Sequence, residues 1–356
     1  MSWEENVRKV TPYTAGEQPS GKVIKLNTNE CPYAPSPAVS ERMRCLAEME
    51  AGTGAGMLRK YPDMNATALV KAVSEVYGIP EDRIFAGVGS DDVLSMAFMA
   101  FFNSDTPVIF PDITYSFYDV WSELHRIPYR TLPLDEDFRI VPEDYLCDNG
   151  GVILPNPNAP TGVFEDPSVI EKIIDFNRDR VVIIDEAYVD FGGKSVLPLI
   201  DRYDNLLVVQ TFSKSRALAG LRIGLAFGQE KLIGYLKDVK FAFNSYTMNV
   251  PAIELGAAAV RDTKYFEETV RKIIRTRERT KKELRALCFS FADSEANFVF
   301  AAHERKPAEE IFKELRARSI YVRWWNKPRI SNHLRITIGT DEEMDTLFKA
   351  LKEIVS

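Results

Sequence analysis

The run Val181-Val-Ile-Ile184, followed at once by Asp185, limits what this chain can become more than any other stretch. Four apolar residues in unbroken succession, without the alternation of a half-exposed strand, describe a β-strand buried on both faces. Such a strand needs helices above and below it. An acidic residue at its end then has a defined place, because open α/β sheets hold their ligands beyond the carboxyl ends of the strands. A carboxylate there is costly unless something positively charged pairs with it.

The pattern recurs along the chain. Short apolar runs at 83–86, 107–110, 151–154, 206–209 and 221–227 alternate with helical stretches at 66–77, 93–102 and 168–178. This alternation predicts an α/β fold with a large, mostly parallel sheet covered on both faces, assigned to residues 36–262. Beyond it, 263–287 forms a long charged helix whose polar face is expected to be solvated. Strands at 297–301, 320–323 and 333–338, with helices at 307–318 and 341–355, describe a smaller α+β domain. It comprises residues 263–356 and an arm, 1–35, broken by Pro12, Pro19, Pro32 and Pro35. The length of 356 residues agrees with two domains. Gly52-Thr-Gly-Ala-Gly56 follows no strand and is expected to be a mobile loop.

Composition excludes several functions. A net charge of −7 argues against nucleic acid as a partner, since a phosphate backbone requires a basic face. The start lacks the basic and apolar regions of a signal peptide, and no apolar run approaches membrane-spanning length, so a soluble cytoplasmic protein without a membrane partner is expected. Cys31, Cys45, Cys147 and Cys288 show no CxxC spacing, and the three histidines are far apart, so no metal site is expected. Lysine is left as the best candidate for covalent chemistry.

Gln210-Thr-Phe-Ser-Lys-Ser-Arg-Ala-Leu-Ala-Gly-Leu-Arg-Ile-Gly224 supplies that lysine. Thr211, Ser213 and Lys214 emerge at the end of the 206–209 strand, and Arg222 is the only charge in the following apolar run. Two hydroxyls and a guanidinium suit a phosphate, leaving the Lys214 amine free to form a Schiff base. A surface lysine and an ion-paired core arginine are the alternative. Gly87-Val-Gly-Ser-Asp-Asp92 joins a strand to a helix start, where free amides favour an anion, with Ser90 adding a hydroxyl. A plain capping turn would read the same way. Tyr115, just past a strand end, can lie flat on a planar ring, whereas core packing accounts equally well for Phe117 and Tyr118. Pro155-Asn-Pro-Asn-Ala-Pro-Thr-Gly162 is a rigid turn whose amides could approach a ligand edge.

In this order, VTPY (10–13), LNTNECPY (26–33), KYPD (60–63), GVGSDD (87–92), PNPNAPTG (155–162), DEAYVDF (185–191), TFSKSRALAGLRIG (211–224) and LRITIGT (334–340) resemble the fold-type-I pyridoxal-phosphate aminotransferases over nearly the whole chain. The likeness is strongest to the branch acting on a phosphorylated imidazole compound. It implies pyridoxal 5′-phosphate as cofactor, with Lys214 as the Schiff-base lysine, Asp185 facing the pyridine nitrogen and Tyr188 at the ring hydroxyl. It places Ser90, Asp91, Thr211, Ser213 and Arg222 around the cofactor phosphate and stacks Tyr115 on the ring. It further implies a homodimer in which Tyr61 reaches the neighbouring subunit's site, with Tyr13, Asn29, Arg323 and Arg335 on the substrate side. Glutamate or 2-oxoglutarate and a phosphorylated amino compound are the implied substrates. The alternatives are an aromatic amino-acid aminotransferase and a threonine-phosphate decarboxylase of the same fold. One position departs from the family, which usually has Asn where this chain has Ala159; Asn158 is the candidate replacement at the ring hydroxyl.

Overall fold

The computed structural model describes residues 2–52 and 56–356; three residues of the expected mobile loop, Thr53, Gly54 and Ala55, lie outside them. In chain order the strands are β1 (Ile24–Lys25), β2 (Ile84–Gly87), β3 (Val108–Pro111), β4 (Tyr129–Leu132), β5 (Val152–Pro155), β6 (Val182–Asp185), β7 (Leu206–Thr211) and β8 (Gly224–Phe227). They continue with β9 (Phe289–Phe291), β10 (Phe298–His303), β11 (Ile320–Tyr321), β12 (Arg323–Trp324) and β13 (Leu334–Thr337).

Seven strands form the large sheet in the order β2-β8-β7-β6-β5-β3-β4. All pairs from β7 to β4 are parallel, while β8 runs antiparallel to both β7 and β2. The sheet is therefore mostly parallel, as the alternating pattern requires. Val182, Ile183 and Ile184 have no exposed surface, and their side chains alternate between apolar cores on the two faces of the sheet. Each such burial is worth about 1.5 to 3 kcal/mol, which holds the central strand in register against the cost of burying Asp185 at its end. Pro155 pairs with Asp185, Asp185 with Val209, and Thr211, two residues further on, with Gly224, so these ends share one rim of the sheet.

A separate four-stranded antiparallel sheet, β12-β13-β10-β9, belongs to the C-terminal part of the chain and has its own apolar core. Leu26, from the N-terminal arm, is buried in that core, and β1 pairs in parallel with β11. The expected strand at 320–323 is thus two strands: 320–321 serves the arm and 323–324 pairs with β13. β1, β4 and β9 have no long apolar run to announce them; β4 exposes three of its four residues.

Two further expectations are corrected. The helix expected to begin at Val93 spans Gly89–Phe101, so Ser90, Asp91 and Asp92 lie in its first turn. Asp92 Oδ2 accepts the Val88 amide at 2.8 Å and folds that turn inward. The helix Thr263–Ala286 does not solvate all its basic residues: Arg277 and Lys281 are buried. Arg277 pairs with Glu295 and Glu278, and Lys281 with Glu278 and Asp293, so these cations belong to the packing of the small sheet.

Candidate active site

β7 and β8 form a hairpin whose connection is the Thr211–Gly224 stretch. The Phe212 amide donates to Ile223 O at 3.0 Å and the Leu218 amide to Phe212 O at 3.0 Å, so the loop folds back on itself. Arg222, in the left-handed region at φ 55°, returns to the side of the residues that opened the loop. Its Nη1 donates to Ser213 Oγ at 3.3 Å and its Nη2 to Asp91 Oδ2 at 2.9 Å. Thr211 Oγ1 lies 3.1 Å from Ser213 Oγ. The neighbouring turn comes so close that a Cβ on Gly224 would stand 2.4 Å from the Ser90 nitrogen. Glycine at 224 is what lets the first turn of the 89–101 helix meet the loop. Hydroxyls, a guanidinium and a helix N-terminus converge there into a cup for an anion.

The Asp91 carboxylate serves that cup indirectly. It binds Arg222 through Oδ2 and accepts the Tyr115 hydroxyl through Oδ1 at 2.7 Å. Asp91 thereby orients the guanidinium and the tyrosine. Burial and Asp91 push the Tyr115 hydroxyl well above its ordinary pKa, so it remains a neutral donor.

The cup opens into an inner chamber of about 170 Å³ lined by Asp185, Tyr188, Lys214 and Tyr115. Asp185 is buried; Oδ2 accepts the Tyr118 hydroxyl at 2.9 Å and Oδ1 the Ala187 amide at 3.2 Å. Burial pushes its carboxyl up to about 6, and the Tyr118 and Ala187 hydrogen bonds act in the opposite direction. Neither partner is a cation, so the carboxylate has an unmet demand for positive charge. Lys214 Nζ donates to Thr28 O at 3.1 Å and lies 5.7 Å from the centre of the Tyr188 ring. Asn29 holds Tyr188: its Nδ2 donates to the Tyr188 hydroxyl at 2.9 Å, while Thr337 Oγ1 donates to Asn29 Oδ1 and Asn297 Nδ2 to Asn29 O, each at 3.0 Å. Asn29 takes a left-handed conformation at φ 57°, which asparagine tolerates better than most residues.

An outer chamber of about 370 Å³ shares Thr28, Tyr115, Ala159, Tyr188 and Lys214 with the inner one. Lys214 thus stands on the wall between a phosphate cup and a second compartment. Tyr13, Arg323 and Arg335 line that compartment. Tyr13 stacks on Phe117 with ring centres 4.2 Å apart. Arg323 donates to the Ala15 and Thr14 carbonyls at 3.1 and 3.0 Å, and Arg335 to Asn27 O at 2.9 Å. Among the described residues neither arginine has a carboxylate partner, and Arg335 Nε has no hydrogen bond at all. Neither guanidinium is therefore taken up in an ion pair among the described residues. Desolvation lowers the Arg335 pKa, with the Arg323 charge adding to the effect, which is the electrostatic signature of a cation awaiting an anion.

One expected contact is absent from this cavity. Asn158 does not line either chamber: its Nδ2 donates to Ile113 O at 2.9 Å and Thr161 Oγ1 at 3.1 Å, and its Oδ1 accepts from Thr114 at 3.3 Å. Its amide is consumed in holding the 155–162 turn, and Ala159 faces the cavity instead. Asn158 therefore does not replace the missing asparagine. Tyr61 lies outside both chambers of its own chain, 82% exposed and stacked on Tyr246 at 4.6 Å. Three contributors escaped the sequence reading: Tyr118, the Thr28 carbonyl and Trp325. Tyr118 opens the helix Tyr118–His125 just after Tyr115, and Trp325 directly follows β12; these neighbourhoods were the available signals.

A mostly parallel sheet with a lysine, a buried carboxylate and an anion cup at its carboxyl rim defines a fold-type-I pyridoxal-phosphate transferase, and the donor set fits that group. The chain belongs to the aminotransferase class I and II family, whose sequence model matches residues 21–351. It is 49% identical to the histidinol-phosphate aminotransferase of Lactococcus lactis subsp. cremoris (strain SK11), over 99% of this chain and 98% of that protein. It is also 49% identical to the histidinol-phosphate aminotransferase of Clostridium acetobutylicum, over 99% of each. The crystal structure of histidinol-phosphate aminotransferase from Sinorhizobium meliloti in complex with pyridoxal-5′-phosphate superposes with a TM-score of 0.84. That match covers 94% of this chain and 91% of the other at 24% identity, and it attests to the fold.

Proposed function

We propose that this enzyme transfers the amino group between glutamate and the histidinol-phosphate/imidazole-acetol-phosphate pair, a step of histidine biosynthesis. The observation that carries the reading is the outer chamber, with two guanidiniums that lack carboxylate partners among the described residues and open beside Lys214. A phosphorylated amino compound supplies the dianion this pair calls for, and a glutamate α-carboxylate supplies a smaller charge to Arg335. The relatives of about half identity over full length carry the corresponding name.

When bound, pyridoxal phosphate supplies a reactive carbonyl and an electron-withdrawing ring. The chain's residues would hold it as follows. Ser90, Thr211, Ser213, Arg222 and the first-turn amides near Asp91 take the phosphate. Tyr115 would cover one face, Asp185 would meet the ring nitrogen as an ionised partner, and Tyr188, oriented by Asn29, would meet the ring hydroxyl. Lys214 would hold the cofactor through its carbonyl, and its amine is the group placed to hold and move the proton at the substrate Cα.

The active unit in this reading is a homodimer in which Tyr61 completes the partner's phosphate cup. Its exposure and its place outside its own cavity support that role. Lys240, buried and bonded to the Met64 and Ala86 carbonyls at 3.0 and 3.2 Å, ties the Tyr61 segment to the end of β2. We divide the chain into a cofactor-binding domain, 36–262, and a small domain made of 1–35 and 263–356. No helix among the described residues is long and apolar enough to cross a membrane, and we assign the enzyme to the cytoplasm.

Half-reactions followed in the visible spectrum test the assignment: glutamate should convert the bound cofactor, and histidinol phosphate should do so far better than histidinol. Equal turnover of histidinol with and without its phosphate would overturn the phosphate assignment, and preference for phenylalanine would make this an aromatic aminotransferase.

A further inference from the structure

Arg323 and Arg335 lie directly opposite each other on β12 and β13. Like charges in that position repel, and no carboxylate among the described residues intervenes. The intervening group is aromatic. The Arg323 guanidinium carbon lies 5.2 Å from the centre of the Trp325 ring, and that of Arg335 lies 5.1 Å from it. Arg335 also lies 5.4 Å from the Phe298 ring.

We infer that Trp325 is a specificity-determining residue, whose indole presets the two guanidiniums as a pair spaced for a phosphate dianion. The inference rests on the phosphate reading of the outer chamber. A π face attracts both cations while adding no negative charge, so it offsets their repulsion and leaves their demand for an anion intact. A carboxylate in the same place would satisfy the arginines and close the site to substrate.

The indole is itself held. Trp325 packs on a small apolar cluster of Ile113, Leu134, Phe300 and Ile330, which joins the rim of the large sheet to β10. The loop carrying it is pinned by Arg329, which donates to Asp112 Oδ2 at 2.9 Å and to the carbonyls of Leu134 and Asp135 at 2.7 and 2.8 Å. Trp324 Nε1 donates to Ser331 O at 2.7 Å and closes the same loop. A preset pair favours a ligand that needs both arginines at once. A carboxylate bound by Arg335 alone gains less from it.

The test uses Trp325→Leu and Trp325→Phe in the complete enzyme, with KM and kcat measured for histidinol phosphate and for glutamate. Loss of two cation–π contacts should raise the KM for histidinol phosphate about 10-fold in the leucine variant, with kcat and the glutamate KM changing less than about 3-fold. Phenylalanine keeps a π face and should restore most of the loss. An unchanged histidinol-phosphate KM in the leucine variant, an equal rise for glutamate, or no recovery with phenylalanine would each overturn the proposal. Arg323→Ala separates it from the reading beneath it. If that variant ceases to favour histidinol phosphate over histidinol while Trp325→Leu still favours it fully, only the Trp325 role falls. If Arg323→Ala keeps the full preference, the phosphate reading falls first.

Discussion

The Tyr118 hydroxyl donates to Asp185 Oδ2 at 2.9 Å, linking a helix start after β3 to the end of β6. Both residues are buried, and the bond supplies a donor but no charge. The protein thus keeps its central carboxylate costly to ionise until a cation arrives. This is a free-energy reserve that cofactor binding can draw on.

That reserve has a definite pH signature. In the cofactor-free protein burial raises the Asp185 pKa from 3.8 to about 6, so folding favours the protonated form. Its stabilising contribution is complete below the unfolded value and is lost as pH rises through the folded one. The stability of Asp185→Asn relative to the parent should therefore grow by about 2 to 3 kcal/mol between pH 4 and pH 8, measured by denaturant unfolding of both cofactor-free proteins. Glu186 is pushed up to about 7, also by burial, but it is present in both proteins and its contribution largely cancels. Tyr118→Phe removes a bond that favours the ionised carboxylate, so the same transition should move to higher pH. A pH-independent difference would show that Asp185 titrates as an ordinary carboxylate. With cofactor bound, Asp185→Asn should slow proton abstraction from glutamate, because an amide cannot keep the ring nitrogen protonated.

Lys214→Ala should abolish turnover and leave the fold intact. The amine donates to a single carbonyl, Thr28 O, so its removal breaks one hydrogen bond and no ion pair among the described residues. Loss of acid–base action alone is worth about 10²- to 10⁴-fold, and the covalent link is lost with it. Circular dichroism and single-turnover rates check both halves of the statement; near-normal turnover would remove Lys214 from the mechanism.

Arg335→Ala should damage both half-reactions, whereas Arg323→Ala should damage the histidinol-phosphate half more than the glutamate half. The cost of losing a desolvated charge contact is about 2 to 5 kcal/mol. Lysine at 335 should rescue only in part, since it lacks the planar fork. Separate half-reaction assays read these effects, and identical losses in both halves for Arg323→Ala would contradict the division of labour.

Tyr61→Phe should weaken cofactor retention about 3- to 10-fold, the equivalent of one hydrogen bond. Mixing it with Lys214→Ala gives the sharper result. In an equal, randomly exchanged mixture half the dimers are hybrids, and one site in each combines an intact Lys214 with an intact Tyr61, so about a quarter of all sites should be native. A strictly monomeric protein in solution excludes a shared site.

The large sheet was legible because all its strands except the exposed β4 carry apolar runs, and its rim residues were legible because Asp185, Thr211 and Lys214 follow those runs directly. Arg222 could be read as a lone cation in an apolar run, though not as the far side of a hairpin that brings it to Ser213. The antiparallel course of β8 has no local signal, since an apolar strand reads alike in either direction. Asn158 could not be read correctly because a polar residue in a rigid turn is equally suited to a ligand or to its own backbone, and here Ile113 O and Thr161 use its amide.

By itself the sequence determined which segments must be buried and which reactive groups stand at their ends, because hydrophobic periodicity acts over a few residues. Tertiary structure alone decided the partners: Tyr118 for Asp185, Asn29 for Tyr188, Asp91 for both Tyr115 and Arg222, and Trp325 for the two arginines. Those choices depend on which strand ends share a rim and which loops fold over it. Hydrogen bonds and cation–π contacts act only over a few ångströms, and residues as far apart in the chain as 29 and 188 acquire that proximity only when the sheets have assembled.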